Sequence, residues 1–329
     1  MPHRCASRVA LLGLLACAGL PAQAADTIAA TYPAKNIRLI IPFGAGGGAD
    51  IVARRLAQSL TERWQRNVVA DNRPGGTGII GTLDLARATP DGYTLAMTNM
   101  SVVVSLALMA QAPLDLVRES TPVSLLVLQY TVLVVPPAST ARTAGEFVEQ
   151  MKKAKPGAYA YGSGGNGTPA HLAAELFTRS VGVKATHVPY KQVGIALTDL
   201  IRGELQFVFS ASGNALPHTS AGRLRALAVA GPHRLAALPD VPTLPEAGLP
   251  DPKVTSWTGV IAPPGTSLAI RQKLHATLRE IAREPGTVKI YEQLGLVAVD
   301  ETIDAFGVLL RAETARWTKF VKEADLRPD

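Results

Sequence analysis

Apolar positions along this chain switch repeatedly between short continuous runs and a helical spacing of about 3.6 residues. Ile37 to Ile41 is an apolar run that predicts a strand, and 49–66 follows with Ile51, Val52, Leu56 and Leu60 at helical spacing. Segments 68–70, 79–88 and 94–98 continue the alternation, and 123–135 is a long β-favouring run. Segment 143–155 predicts a helix. It opens on Thr143-Ala144-Gly145-Glu146, a hydroxyl three residues ahead of a glutamate, which is the capping-box pattern. Segment 159–161 leads into a helix over 168–181, and 187–190 into a helix over 193–202. Strands at 205–209 and 224–230 follow.

Alternation of this kind predicts mainly parallel sheets flanked by helices, an α/β fold. The rhythm breaks at 231–252, where Pro232, Pro239, Pro242, Pro245, Pro250 and Pro252 predict an irregular surface connection. Beyond it lie a strand at 256–261 and helical stretches at 267–283, 285–294 and 302–324. The last carries Phe306, Leu309, Leu310, Trp317 and Val321 along one face. A closing run so rich in helix fits a return that covers an earlier domain. The expected organisation is a discontinuous first lobe, 25–126 plus 254–329, and a second lobe, 127–253, joined by crossing strands. A length of 329 residues agrees with about two domains.

The first 24 residues stand apart. Arg4 and Arg8 precede an apolar run from Val9 to Leu20, and Ala22-Gln23-Ala24 supplies small residues at cleavage spacing, the pattern of a secretory signal peptide. The run is too short to span a hydrocarbon core of roughly 30 Å. Cleavage after Ala24 would release a periplasmic protein. Leu14-Leu15-Ala16-Cys17 offers a poorer lipoprotein alternative, because Leu15 fits its position badly. Cys5 and Cys17 both fall in the leader, so stability must come from packing without a disulfide. The formal charge of +7 is scattered apart from Lys152, Lys153 and Lys155, and aromatics make up only 5%. A nucleic-acid partner is therefore not expected, although a positive surface would help attract an anionic solute.

Two glycine-rich loops carry the candidate chemistry. The first, Phe43-Gly44-Ala45-Gly46-Gly47-Gly48, joins a strand to a helix that starts near Ala49. A helix N-terminus presents unpaired N–H groups and a partial positive charge, and glycines let an anion approach them. Asp50 can cap the first turn or orient neighbouring donors. The second loop, Tyr161-Gly162-Ser163-Gly164-Gly165-Asn166-Gly167, leads to Thr168 as an N-cap and Pro169 at the first helical position. Ser163, Gly164, Asn166 and Thr168 offer groups suited to carboxylate oxygens.

His171 lies one turn into that helix, where packing or capping competes with ligand contact. Tyr190 follows a strand and can project a phenol toward a cleft. The run from Gly44 to Ala49 also matches G-x-G-x-x-G/A, so an NAD(P)-dependent oxidoreductase is the rival reading. The spacing to Asp71 is longer than usual for that fold, and one dinucleotide site does not require a second glycine loop. Ser163 lacks the spacing of a nucleophile elbow, and the histidines show no ligand pairing. No catalytic residue, cofactor or metal is expected.

At these segments the chain resembles the periplasmic solute-binding proteins of tripartite tricarboxylate transporters, the Bug receptors. The resemblance runs from Tyr32-Pro33 nearly to the C-terminus. It is carried by Tyr32-Pro33-Ala34-Lys35, Pro42-Phe43 with the first loop to Asp50, Asn72-Arg73-Pro74-Gly75 and Pro90-Asp91-Gly92-Tyr93-Thr94. Tyr161-Gly162-Ser163, Gly167-Thr168, His171-Leu172, His187-Val188-Pro189-Tyr190-Lys191 and Leu238-Pro239-Asp240-Val241-Pro242-Thr243 extend it.

It implies a two-lobed flytrap fold and a monomer that is not an enzyme. Residues 43–48 and 163–168 would hold a small carboxylate on hinge closure. The closed form would then dock on membrane permease subunits or, alternatively, on a sensor kinase. Two positions depart from the family pattern: Ser210 stands where an aspartate is common, and Gln192 where glycine is common. Loss of an acidic group at Ser210 disfavours ligands bearing an ammonium there.

Overall fold

The computed structural model describes residues 31–155, 157–323 and 326, so the leader and Cys17 lie outside the described residues. In chain order the elements begin with β1 (Ile37–Ile41), α1 (Gly48–Trp64), β2 (Val68–Asn72), α2 (Ile79–Ala86), β3 (Thr94–Asn99), α3 (Met100–Leu108) and β4 (Thr121–Gln129). Then come β5 (Thr131–Val135), α4 (Ala144–Lys153), β6 (Ala160–Ser163), α5 (Pro169–Ser180), β7 (Thr186–Pro189), α6 (Val193–Arg202), β8 (Val208–Ala211), α7 (Ser212–Ser220) and β9 (Arg225–Ala230). After the proline-rich connection follow β10 (Ser256–Ala262), α8 (Leu268–Ala282), α9 (Pro285–Gln293), β11 (Val297–Ala298) and α10 (Ile303–Glu323).

The fold is the expected two-lobed α/β arrangement. The first sheet has the order β11-β4-β10-β3-β1-β2. β1 pairs parallel with β2 and β3, while β10 pairs antiparallel with β3 and β4, and β11 with β4. β1 to β4 therefore all run one way, with β10 wedged among them in reverse. In the second lobe β5 pairs antiparallel with β8 and β9, and β6 pairs parallel with β7. A parallel bridge between Tyr161 and Phe207 joins β6 to the chain entering β8.

The sheets are thus mixed in their pairings rather than mainly parallel, for one physical reason. Strands linked by helical crossovers point the same way. β5 and β10 enter each sheet from the other lobe and so run against their neighbours.

The chain passes between sheets at Tyr130, with β4 still in the first sheet at Gln129, so the boundary expected after 126 falls inside β4. The return runs through 231–255. That segment is irregular yet nailed down: Leu235, Leu244 and Val254 are buried, and Arg316 donates to the carbonyls of Lys253 and Pro252.

Two helices interrupt segments where the pattern predicts none. α3 is apolar on most of its surface, with Met100, Val102, Val103, Val104 and Leu106 buried, so it shows no one-sided stripe. α7 contains Pro217, a helix breaker in sequence terms. The largest core cluster joins both lobes, including Ile40 and Leu125 from the first sheet, Leu133 of β5, Phe207 just ahead of β8, and Trp317 of α10. Among the described residues no helix is long and apolar enough to cross a membrane.

Candidate functional site

The first glycine loop is exposed from Gly44 to Gly48 and ends in α1, whose N-cap, Gly47, provides no side-chain cap. It is held from behind. The Asp50 carboxylate, almost wholly buried, accepts from the Gly46 N–H at 2.9 Å, Asn72 Nδ2 at 2.8 Å and Arg54 Nε at 3.0 Å. Asn72 also donates to the Phe43 carbonyl at 3.1 Å. Burial works to raise the Asp50 carboxyl, but the hydrogen bonds from Arg54, Gly46 and Asn72 together hold it below the usual carboxylate range. Asp50 thereby orients the loop, the second of its two expected roles. Phe43 packs over Gly78 beside Val102 of α3, where any Cβ on Gly78 would meet both side chains within 3.2 Å.

The second loop is largely buried and closed on itself. Thr168 Oγ1 caps α5 by accepting from the His171 N–H and donates to the Gly165 carbonyl at 2.8 Å. Ser163 Oγ accepts from the Gly165 N–H at 3.1 Å and lies 2.7 Å from His187 Nε2. His171 is buried, and its Nδ1 accepts from the Gly167 N–H at 3.1 Å, so that nitrogen carries no proton. The rings of His171 and His187 stack with centroids 4.1 Å apart, and Tyr161 stacks on His187 at 5.0 Å. Tyr190 donates its phenol to Asp199 at 2.9 Å. Burial, helped by that carboxylate, raises the phenol above its ordinary value. Ser210 is wholly buried on β8, its hydroxyl donating to the Ala211 carbonyl.

A cavity of about 240 Å³ lies between the lobes. From the first lobe Gly48 and Ala49 bring the start of α1, and Asn99 brings the start of α3. From the second lobe Gly213 and Asn214 bring the start of α7. Like α1, α7 has no side-chain cap, its N-cap being Ala211. Gln129, Ser256 and Thr258 complete the polar wall, and Val52, Leu294 and Leu296 the apolar one.

The lobes touch at its edge. Ser212 Oγ donates to the Gly295 carbonyl at 2.6 Å, and a Cβ on Gly213 would strike the Leu294 carbonyl. Of the first loop, Gly48 lines the cavity, followed by Ala49 of α1, together with the start of α7, which the sequence pattern missed. Ser163, Gly164, Asn166, Thr168, His171 and Tyr190 form a separate cluster on β6 and its flanks, beside the strand that carries α7. Asn99 had a legible signal, an N-cap residue type directly after a strand. Gln129, Asn214, Ser256 and Thr258 had none. Asp71, the acidic residue of the dinucleotide alternative, is held by Arg38 at 2.7 Å and by Arg73 at 3.1 Å.

Residues 52–326 match the family described as the tripartite tricarboxylate transporter family receptor. The chain belongs to this receptor family. It is 34% identical over 318 residues to the Bordetella pertussis protein BugT, covering 96% of each chain. It is similar to MatC from Rhodopseudomonas palustris with bound malate (TM-score 0.72, 26% identity, 88% of this chain and 100% of that one). It is also similar to an R. palustris protein with adipate (TM-score 0.77, 28% identity, 91% and 100%). The resemblance drawn from the glycine loops and proline motifs is therefore a true family relationship. The Gly44 to Ala49 run belongs to a receptor of this family rather than standing alone as a dinucleotide fingerprint.

Proposed function

We propose that this receptor is a periplasmic solute-binding protein, without catalytic activity, that captures a small carboxylate between its lobes by hinge closure. It would then deliver the ligand to the membrane subunits of a tripartite tricarboxylate-type transporter. The observation that carries this reading is the convergence of two helix N-termini without side-chain caps, α1 and α7, on one cavity from opposite lobes. Unpaired first-turn N–H groups and the helix dipole favour negative charge, so a carboxylate bridging both starts would stabilise the closed arrangement. Residues 43–48 are proposed as the ligand-facing loop of the first lobe, with Asp50 as its support. The 163–168 loop with His171, Tyr190 and Ser210 would shape the adjoining edge of the second lobe. Removal of 1–24 after Ala24 would place the mature chain in the periplasm.

The test is a thermal-melt screen of the purified protein against mono-, di- and tricarboxylates, with small-angle scattering of the best hit. A ligand at a hundred times its Kd raises stability by about 2.7 kcal/mol, and closure should reduce the radius of gyration. No melting shift with any carboxylate would sink the proposal.

A further inference from the structure

The hinge-closure reading, on which this step rests, asks where the lobes turn. The chain leaves the first lobe at Tyr130, between β4 and β5, and starts back at Gly231, just after β9. The two passages touch. Tyr130 is buried, and a Cβ on Gly231 would meet its ring at 2.7 Å. The Tyr130 carbonyl accepts from the Ser212 N–H at 3.0 Å, which ties the start of α7 to the same point.

Beside this crossing the lobes meet backbone to backbone. On the first-lobe side stands the turn that ends α9. Gly295 closes it at φ +61°, its N–H donating to the Glu292 carbonyl and the Leu296 N–H to the Tyr291 carbonyl, a helix end that favours glycine. β11 then pairs with β4, so the turn is held firmly in the first lobe. Gln129 Nε2 donates to the Leu294 carbonyl at 3.2 Å. On the second-lobe side Ser212 and Gly213 open α7, which is anchored by the buried Ala215 and Leu216. Ser212 Oγ, wholly buried, donates to the Gly295 carbonyl.

This contact has no room for a methyl group on either side. A Cβ on Gly213 would overlap the Leu294 carbonyl oxygen and lie 2.9 Å from its carbon. One on Gly295 would lie 2.7 Å from Ser212 Oγ and 2.8 Å from the Gly213 nitrogen. Favourable separations are about 3.5–4.0 Å, so either methyl must push the lobes apart by about 1 Å. The helix itself does not ask for glycine at 213, since alanine is the better helix former. What the position requires is the absence of a side chain toward the other lobe.

We infer that Gly213 and the 294–295 turn form the pivot of lobe closure, as positioning residues that set how near the α1 and α7 starts can come. A contact beside the crossing moves little while the cleft mouth moves far, and bare backbone lets two rigid bodies turn there. A methyl at the pivot is a wedge whose effect grows with distance from the crossing. Gly213 and Leu294 themselves line the cavity, so the wedge parts its opposing walls.

Small-angle scattering of the unliganded protein tests the pivot on Gly213→Ala and Gly295→Ala, followed by calorimetry with malate, adipate and citrate. Gly222→Ala is the control. Its φ of +67° matches the backbone of Gly295, but nothing lies within 4 Å of its Cβ, so it carries the same left-handed strain without the wedge. Both pivot variants should keep the parent's circular dichroism and show a larger radius of gyration before any ligand is added. They should bind whichever of these carboxylates the parent binds about tenfold or more weakly. Gly222→Ala should match the parent in both measurements. Gly295 is not among the residues lining the cavity, so its loss of affinity separates a wedge from a blocked site. Gly213→Ala, which suits a helix, guards against misfolding of the Gly295 variant. A radius of gyration equal to the parent's in both variants, or an equal rise in Gly222→Ala, overturns the pivot. Unchanged affinity in the expanded variants overturns its role in capture. The scattering comparison needs no ligand, so it judges the pivot even when no carboxylate binds, a result that counts against carboxylate capture alone.

Discussion

The two glycine-rich loops look alike as strings, yet they are built on opposite principles. Residues 44–48 are exposed, lack a side-chain cap and are braced from below by Asp50 and Asn72, and Gly48 with Ala49 lines the cavity. In 163–168 the amides of Gly165 and Gly167 are taken by Ser163 and His171, and Thr168 caps the helix. The first loop spends the Gly46 N–H on Asp50 but leaves the start of α1 without a side-chain cap, whereas the second spends two amides and caps its helix as well. Glycine content alone therefore does not tell how a loop's backbone is satisfied. What discriminates is whether a neighbouring side chain has already satisfied the backbone.

The sharpest way to break the comparison is a methyl group in each loop. Gly167 has φ +73°, and a Cβ there would meet Leu108 Cδ1 at 2.8 Å and Val104 Cγ1 at 2.9 Å, whereas nothing lies within 4 Å of one on Gly44. Gly167→Ala should lower stability by about 2–4 kcal/mol, combining left-handed strain with overpacking. Gly44→Ala should stay within about 0.5 kcal/mol of the parent. Denaturant midpoints compare them, and similar losses would show that both loops are structural.

Next in size is Asp50→Ala, which strands three donors and should cost about 2 kcal/mol. The Asp50 carboxyl is held below its unfolded value near 3.9. Its contribution is therefore complete above about pH 4 and disappears as pH falls through the lower folded value. The parent and the variant should converge in stability toward strongly acid pH. A constant gap across that range would mean that the charge on Asp50 is irrelevant.

The smallest effects come from exchanging the caps. Thr168→Ala should cost about 1 kcal/mol through the lost N-cap. Gly47→Asn should add a few tenths of a kcal/mol. The same Gly47→Asn change should weaken carboxylate binding about tenfold, because the new side chain competes for the amides proposed to hold the ligand. Unchanged affinity in calorimetry would remove the first loop from the binding site.

Local features were legible in the amino-acid string. The helix at 193–202, the Thr143 and Thr168 caps and the proline at the start of α5 depend on groups a few residues apart, and each is present as expected. The family relationship was legible too, because its motifs are short and ordered along the chain. α3 escaped because a helix buried on most sides has no polar face to set its period, and α7 because Pro217 reads as a break.

The candidate site divides along the same line. Short-range chemistry specified that 43–48 would open a helix and that Asp50 could brace it. Folding alone determined that this start shares a cavity with the start of α7, and that Asn99, Gln129, Ser256 and Thr258 line its wall. Those neighbours meet because β5 and β10 cross between lobes and lie antiparallel in their new sheets. Hydrogen bonds within one turn are encoded by adjacent residues, but the register of a crossing strand is settled only when two distant cores pack at once.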